Sequence, residues 1–155
     1  MQDFDRRFDK AFSMVAFAAN RHLIEHMRRV SQGLELDLET VMIWGILAHL
    51  NVARSITPGA APADILDENG YLLGPKHPVR TIDIVQVAGL PKETVRRKLE
   101  RLRDAGKAQR DADGRWQVCA SGVDDSVIEF TRETVKRLLS TARTIEDMLR
   151  RVELD

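Results

Sequence analysis

Apolar residues recur every three or four positions at Phe4, Phe8, Phe12, Val15, Ala19, Leu23, Met27 and Val30, which is the period of one helical face. No Gly or Pro interrupts them, so residues 3–30 are predicted as one long amphipathic helix. Ala11 and Ala18 add small side chains to its apolar face, Arg6, Asp9, Arg21 and Arg28 take the other side, and Ser31-Gln32-Gly33 ends it. A second helix is predicted over 38–54 with Asp37 as its N-cap; its WGILAHL stretch is apolar on most sides, which marks it as central to the core. Residues 56–77 hold Pro58, Pro62 and Pro75 with Gly59, Gly70 and Gly74, and Pro78 follows, so a loop of about 20 residues is expected, with at most one helical turn over 63–68.

The pattern tightens after Pro78. Ile82, Ile84, Val85, Val87 and Ala88 define a short helix over 81–88 that must stop at Gly89-Leu90-Pro91. Val95, Leu99 and Leu102 then fall at i, i+4 and i+7, predicting a helix over 91–105 with Gly106 as its left-handed cap. Opposite the apolar stripe lie Glu93, Arg96, Arg97 and Glu100, with Lys92 and Thr94 near the exposed N-terminal end. Strand-like runs at 107–111 and 115–119 flank Ala112-Asp113-Gly114, a hairpin signal. Ala120-Ser121-Gly122 breaks the pattern. Val127, Phe130, Thr134, Leu138, Ala142, Ile145, Leu149 and Val152 then predict a last long helix over 124–151.

This order predicts a mainly α protein with a small β wing, a winged helix-turn-helix with long N- and C-terminal dimerisation helices. The 155 residues, 43% of them hydrophobic, are enough for a single domain over 1–155. Its parts are N-terminal helices over 1–55, the long connection 56–77, the winged module 78–119 and a C-terminal helix over 120–155. The terminal helices carry more apolar face than one small module covers, and the economical partner is a second copy of the chain.

Charge sharpens the picture. The chain has 24 Lys and Arg against 24 Asp and Glu, but residues 76–119 carry 11 against 6, leaving 13 against 18 elsewhere. A neutral total therefore contains a basic module, the electrostatic signature of a nucleic-acid surface. On this reading Lys92, Glu93, Arg96 and Arg97 approach base edges, while Thr94, Arg101, Lys107, Arg110 and Arg115 hold phosphates or a minor groove. The partner expected is double-stranded DNA carrying an inverted repeat, read by a homodimer. The competing reading is a protein-interaction module whose helix 91–105 docks another protein, since fold does not fix function.

The residues GLPKETVRRKLERLRDAGK at 89–107, the wing Asp113-Gly114-Arg115 and the break at Ser121-Gly122 resemble the multiple-antibiotic-resistance regulator (MarR) family of bacterial dimeric repressors, over nearly the whole chain. The resemblance implies a transcriptional regulator, dimerisation through the terminal helices of both chains, and a small aromatic or phenolic effector bound between the dimerisation and DNA-binding parts.

Other chemistry finds less support. His22 and His26 lie at i, i+4, a metal-binding spacing, but no Cys or carboxylate cluster completes a set, so helix-surface or core-edge histidines are expected. Cys119 alone excludes an internal disulfide and reads as a small hydrophobe or, less simply, a redox switch. Trp44 and Trp116 read as core, with a ligand-pocket lining as the alternative. There is no nucleophile elbow, phosphate-cradling Gly-rich loop or HExxH, so no enzymatic activity and no cofactor are expected. No apolar run approaches a membrane span and the N-terminus lacks an apolar leader core, which predicts a cytoplasmic protein with no membrane partner.

Overall fold

The computed structural model describes residues 2–154 as a mainly helical chain with a small two-stranded antiparallel sheet. In order these are α1 (Gln2–Gly33), α2 (Leu38–Val52), a one-turn α3 (Pro62–Ile65), α4 (Thr81–Ala88), α5 (Lys92–Asp104), β1 (Ala108–Arg110), β2 (Trp116–Val118) and α6 (Asp125–Arg150). The chain divides into two compact units, one of residues up to Glu35 together with those from Asp125, the other Leu36–Asp124. The division separates α1 from α2, which the sequence pattern had grouped in one N-terminal segment.

In the first unit α1 packs on α6. Ala11, Val15, Ala18 and Val30 are buried there, and the small side chains permit close approach. Polar groups punctuate the seam: Arg29 donates to the Phe130 carbonyl and to Thr134 Oγ1, both at 3.2 Å, and its guanidinium lies 4.6 Å from the Phe130 ring centre. At the other end Arg7 donates to the carbonyls of Leu149, Arg150 and Val152, closing the C-terminus of α6. The predicted apolar face of α1 needs a correction. Phe4, Phe12, Leu23 and Met27 are exposed, as are Met14, Phe17 and Ile24. A stripe at 11, 15, 18 and 22 lies in the α1–α6 seam, while 12, 23 and 27 stay exposed, because three- and four-residue steps fit either face. The helix also runs past its predicted stop to Gly33, beside the Phe130 ring, and the chain turns at Glu35, whose φ is +53°.

The second unit is organised around α2, which contacts α4, α5 and β2. Ile43, Leu47, Ile84, Val95, Leu99 and Leu102 are fully buried, so the apolar stripe read for α5 is the one that meets the core. Asp37 caps α2 as expected, accepting from the Thr40 amide at 3.0 Å. Gly89 (φ +65°) ends α4 and Gly106 (φ +69°) ends α5 in the left-handed conformation. The amides of Gly106 and Lys107 return to the carbonyls of Arg103 and Leu102, a Schellman closure. β1 and β2 pair in the register Ala108↔Val118 and Arg110↔Trp116, and Val79 adds one further rung on Trp116. Trp116 is 1% exposed, with its indole N–H on Thr81 Oγ1 at 3.1 Å. Trp44 is likewise buried.

One buried polar residue joins these parts. Asn51 Nδ2 donates to the carbonyls of His77 (2.9 Å) and Trp116 (3.2 Å), and its Oδ1 accepts from the Val118 amide at 2.9 Å. The Asn51 carbonyl accepts from the His77 amide at 2.8 Å. The end of α2 is thereby tied both to the chain entering α4 and to β2.

The 56–77 connection is more ordered than a bare loop. Beyond α3, Leu66 bridges Leu72, and the tip repeats the geometry of the β1–β2 turn. Asp67 N–H donates to the Tyr71 carbonyl, Gly70 N–H to the Asp67 carbonyl, and Asp67 Oδ1 accepts from the Tyr71 amide. Asp111, Gly114 and Arg115 make the same three bonds in the same order, and Gly70 and Gly114 share a φ near 80°.

The break before α6 has a packing reason. A Cβ on buried Gly122 would sit 2.9 Å from Lys107 Cα and 3.3 Å from the Lys107 carbonyl oxygen. Gly122→Ala is expected to cost about 1–3 kcal/mol, since backbone rather than a mobile side chain must yield. The check is urea unfolding, where the midpoint should fall with an unchanged slope.

Candidate nucleic-acid interface

Burial of Val95, Leu99 and Leu102 fixes which side of α5 faces solvent, and helical geometry then sorts its charges into three rows. The midline is Glu93, Arg97, Glu100 and Asp104. One flank is Lys92, Arg96 and Arg103; the other is Thr94, Lys98 and Arg101.

Each row has its own chemistry. On the midline Arg97 is exposed and forms no ion pair or hydrogen bond among the described residues. Glu93 accepts a two-pronged bond from Arg96 at 2.6 and 3.0 Å, which holds its carboxyl below the usual range. Glu100 pairs with Arg103. Positive charge on the midline is therefore confined to the N-terminal half of α5.

The Thr94–Lys98–Arg101 flank turns toward the start of α2. Lys98 Nζ and Arg101 Nη1 reach the two oxygens of Asp37 at 2.6 and 2.7 Å, and Lys98 also lies 3.4 Å from Glu39. Burial pushes the Asp37 carboxyl up, but hydrogen bonds from Lys98 and from the Thr40 side chain and amide outweigh it and hold it far below the usual carboxylate range. Arg101, a predicted phosphate ligand, is thus engaged within the chain. Thr94, on the same flank, is half-buried.

The other flank opens on a cleft. Arg80, Lys92, Arg96 and Arg110 line a cavity of about 340 Å³, together with Thr81, Ile82, Gly114 and Trp116. Arg80 was not singled out in the sequence. It precedes α4 in a capping box: the Arg80 amide donates to Asp83 at 2.9 Å and its guanidinium grips the same carboxylate at 2.8 and 3.2 Å. The hydrogen bond from Arg80 lowers the Asp83 pKa, and Asp83 in turn raises that of Arg80. The Arg80-x-x-Asp83 spacing was the available signal, although arginine is an unusual residue at a helix N-cap.

Of the hairpin cations, Arg110 lies over Trp116 with its guanidinium 5.5 Å from the ring centre and donates to the Gly114 carbonyl at 3.1 Å. Arg115 is exposed and borders, with Arg110 and Pro78, a smaller cleft of about 260 Å³. Lys107 stands apart: its Nζ lies 4.6 Å from the centre of the Trp44 ring. The structure therefore gathers Lys92, Arg96 and Arg110 around one cleft, leaves Glu93 and Arg97 on the solvent face, sets Arg115 on the hairpin, and engages Arg101 with Asp37 and Lys107 with the Trp44 ring.

His22 and His26 stack with ring centres 6.4 Å apart in the α1–α6 seam, with His22 Nδ1 3.1 Å from Thr141 Oγ1. Burial and then the Arg29 charge lower the His26 pKa, which favours a neutral ring. No group of three or more His, Cys, Asp or Glu is placed to hold a metal among the described residues. Among those residues no helix is long and apolar enough to cross a membrane. Neither a scan against protein-family models nor a search of curated proteins returns a match to this chain.

Proposed function

We propose that the chain is a homodimeric, sequence-specific double-stranded DNA-binding transcriptional regulator of the winged helix-turn-helix type, with α4 and α5 as the two helices and the β1–β2 hairpin as the wing. The observation that carries this reading is the N-terminal half of α5, where Arg97 is unpaired on the solvent face beside the cleft of Arg80, Lys92, Arg96 and Arg110. A helix that presents base-reading side chains at its N-terminal end, flanked by phosphate-holding cations, is how this architecture reads a major groove. The acidic Glu100 and Asp104 further along the midline limit groove entry to that end. Arg101, held by Asp37, supports the position of α5 rather than serving first as a phosphate ligand. The order of elements continues to favour a regulator resembling the MarR family, with an inverted-repeat operator and a small-molecule effector as what that resemblance implies.

The dimer is supported by the uncovered apolar residues of the first unit. Phe4, Phe12, Met14, Phe17, Leu23, Ile24 and Met27 on α1 and Val135, Leu138 and Leu139 on α6 are exposed. Ten such side chains, each about half uncovered, expose on the order of 900 Å², comparable to the ~800 Å² per partner of a standard stable interface. A second copy of the same chain supplies the matching surface in one step.

Selection of bound duplexes from random sequence tests the reading, and an inverted repeat is the expected return. On that site Arg97→Ala should cost roughly 1–3 kcal/mol and flatten discrimination at one base position per half-site. Arg115→Ala should weaken all sequences evenly and reduce the salt slope by about 0.9. The acids on the α5 midline favour one rival, a module that docks a protein through that face. No enrichment, and no salt-dependent affinity for any duplex, would establish the rival as the better reading.

A further inference from the structure

We propose that the cleft between the start of α4, the start of α5 and the hairpin is a phosphate-binding site that takes a phosphodiester of duplex DNA, with Arg80 as a contact residue beside Lys92, Arg96 and Arg110. The inference rests on the DNA-binding reading and deepens it, because it names where the backbone sits and adds a residue from outside α5 and the hairpin.

Three observations converge on it. The four cations come from three separate elements yet line one cavity of about 340 Å³, large enough for a phosphate with its sugar rather than a bare ion alone. Like charges gathered around an open cleft repel one another, and a bound anion relieves that repulsion. The carboxylates nearby do not cancel them: Asp83 and Glu93 face four cations, and each grips one guanidinium through two of its five N–H groups. Those grips hold the Arg80 and Arg96 forks in place while leaving N–H groups for a second, planar acceptor. Third, α5 has no side-chain cap, so its first-turn amides are left for an anion near Lys92 and contribute the positive end of the helix dipole. Exposed Ile82 on the rim offers apolar contact to a sugar, which a free phosphate would not use.

Arg80→Ala removes the guanidinium grip on Asp83 but keeps the cap of α4, because the backbone amide of residue 80 also donates to Asp83. The experiment measures binding of a labelled random-sequence duplex across roughly 50 to 200 mM salt, a range over which phosphate contacts dominate the change in affinity. Arg80→Ala and Arg110→Ala, checked for native circular dichroism, should each lower the log–log salt slope by about 0.9 and weaken random and selected duplexes alike. An unchanged slope in both variants, with Arg97→Ala still impaired on its selected site, would overturn the cleft while leaving the DNA-binding reading intact. If the wild-type chain bound no duplex, that reading would fail first. Titration with inorganic phosphate, following the Thr81 and Lys92 amide resonances, would then separate the sources. Shifts abolished by Arg80→Ala would replace the phosphodiester with a free phosphate, and no shifts would overturn the site altogether.

Discussion

Asn51→Leu is expected to destabilise the second unit by about 3 kcal/mol or more. Leucine keeps the branch at Cγ but offers nothing to the three backbone groups that Asn51 serves, the carbonyls of His77 and Trp116 and the amide of Val118. Trp116 retains a second donor in the Val79 amide. The loss therefore falls mainly on the His77 carbonyl and the Val118 amide, at about 1–3 kcal/mol for each buried group left unsatisfied. For a chain of this size the melting temperature should fall by roughly 6–12 °C. Asn51→Asp makes the cause visible. It keeps the acceptor for Val118 but sets a carboxylate against two carbonyl oxygens, which raises its folded-state pKa above the unfolded value. Its penalty should be greatest above that folded pKa and should shrink as pH falls through it toward the unfolded value. A thermal scan in which Asn51→Leu melted with the wild-type chain would show that the junction does not hold the unit together.

Local rules with single-residue signatures were legible in the sequence. Gly89, Pro91 and Gly106 bound α4 and α5 because each satisfies a backbone requirement that few other residues meet, and Asp37 announced the start of α2 in the same way. The apolar stripe Val95-Leu99-Leu102 told which side of α5 is solvent-facing. Asn51 was not legible, because its partners are backbone groups that meet only after α2, the 77–79 segment and β2 have packed. The hairpin tip at 67–71 was in reach: Asp67-x-x-Gly70-Tyr71 has the same spacing as Asp111-x-x-Gly114-Arg115, but the prolines around it directed the reading toward a loop.

The candidate site divides along the same line. Helical periodicity placed Glu93, Arg96 and Arg97 on the solvent face, yet could not show that Arg101 ends on Asp37 or Lys107 over Trp44. Arg80 became a candidate only when the cleft brought it beside Lys92 and Arg110. A net charge computed over 76–119 counts these cations equally, whereas partners within the fold leave Arg97 more available than Arg101.

Phe17→Glu is expected to convert a dimer to a folded monomer. Residues 11–20, AFSMVAFAAN, contain no charge, and a helix apolar around most of its circumference is one that is surrounded. Within the chain only the stripe at Ala11, Val15 and Ala18 is covered, while Phe17 is 67% exposed. A second copy laid on the uncovered side would bury Phe17, and a glutamate there would carry its charge into the interface; the one cation a turn away, Arg21, already lies 3.9 Å from Glu25. An unpaired charge held in an apolar interface costs several kcal/mol, enough to raise the dissociation constant by about a hundredfold or more. Light scattering at micromolar concentration should give about twice the 17.6 kDa chain mass for the wild type and the single mass for the variant. Helical circular dichroism should be retained, because the substituted side chain contributes little to the α1–α6 seam. Binding to an inverted-repeat duplex should weaken along with dimerisation, since each half-site would then be occupied independently. A wild-type monomer would remove the dimer from the proposal, and a Phe17→Glu dimer as tight as the wild type would move the interface to another face.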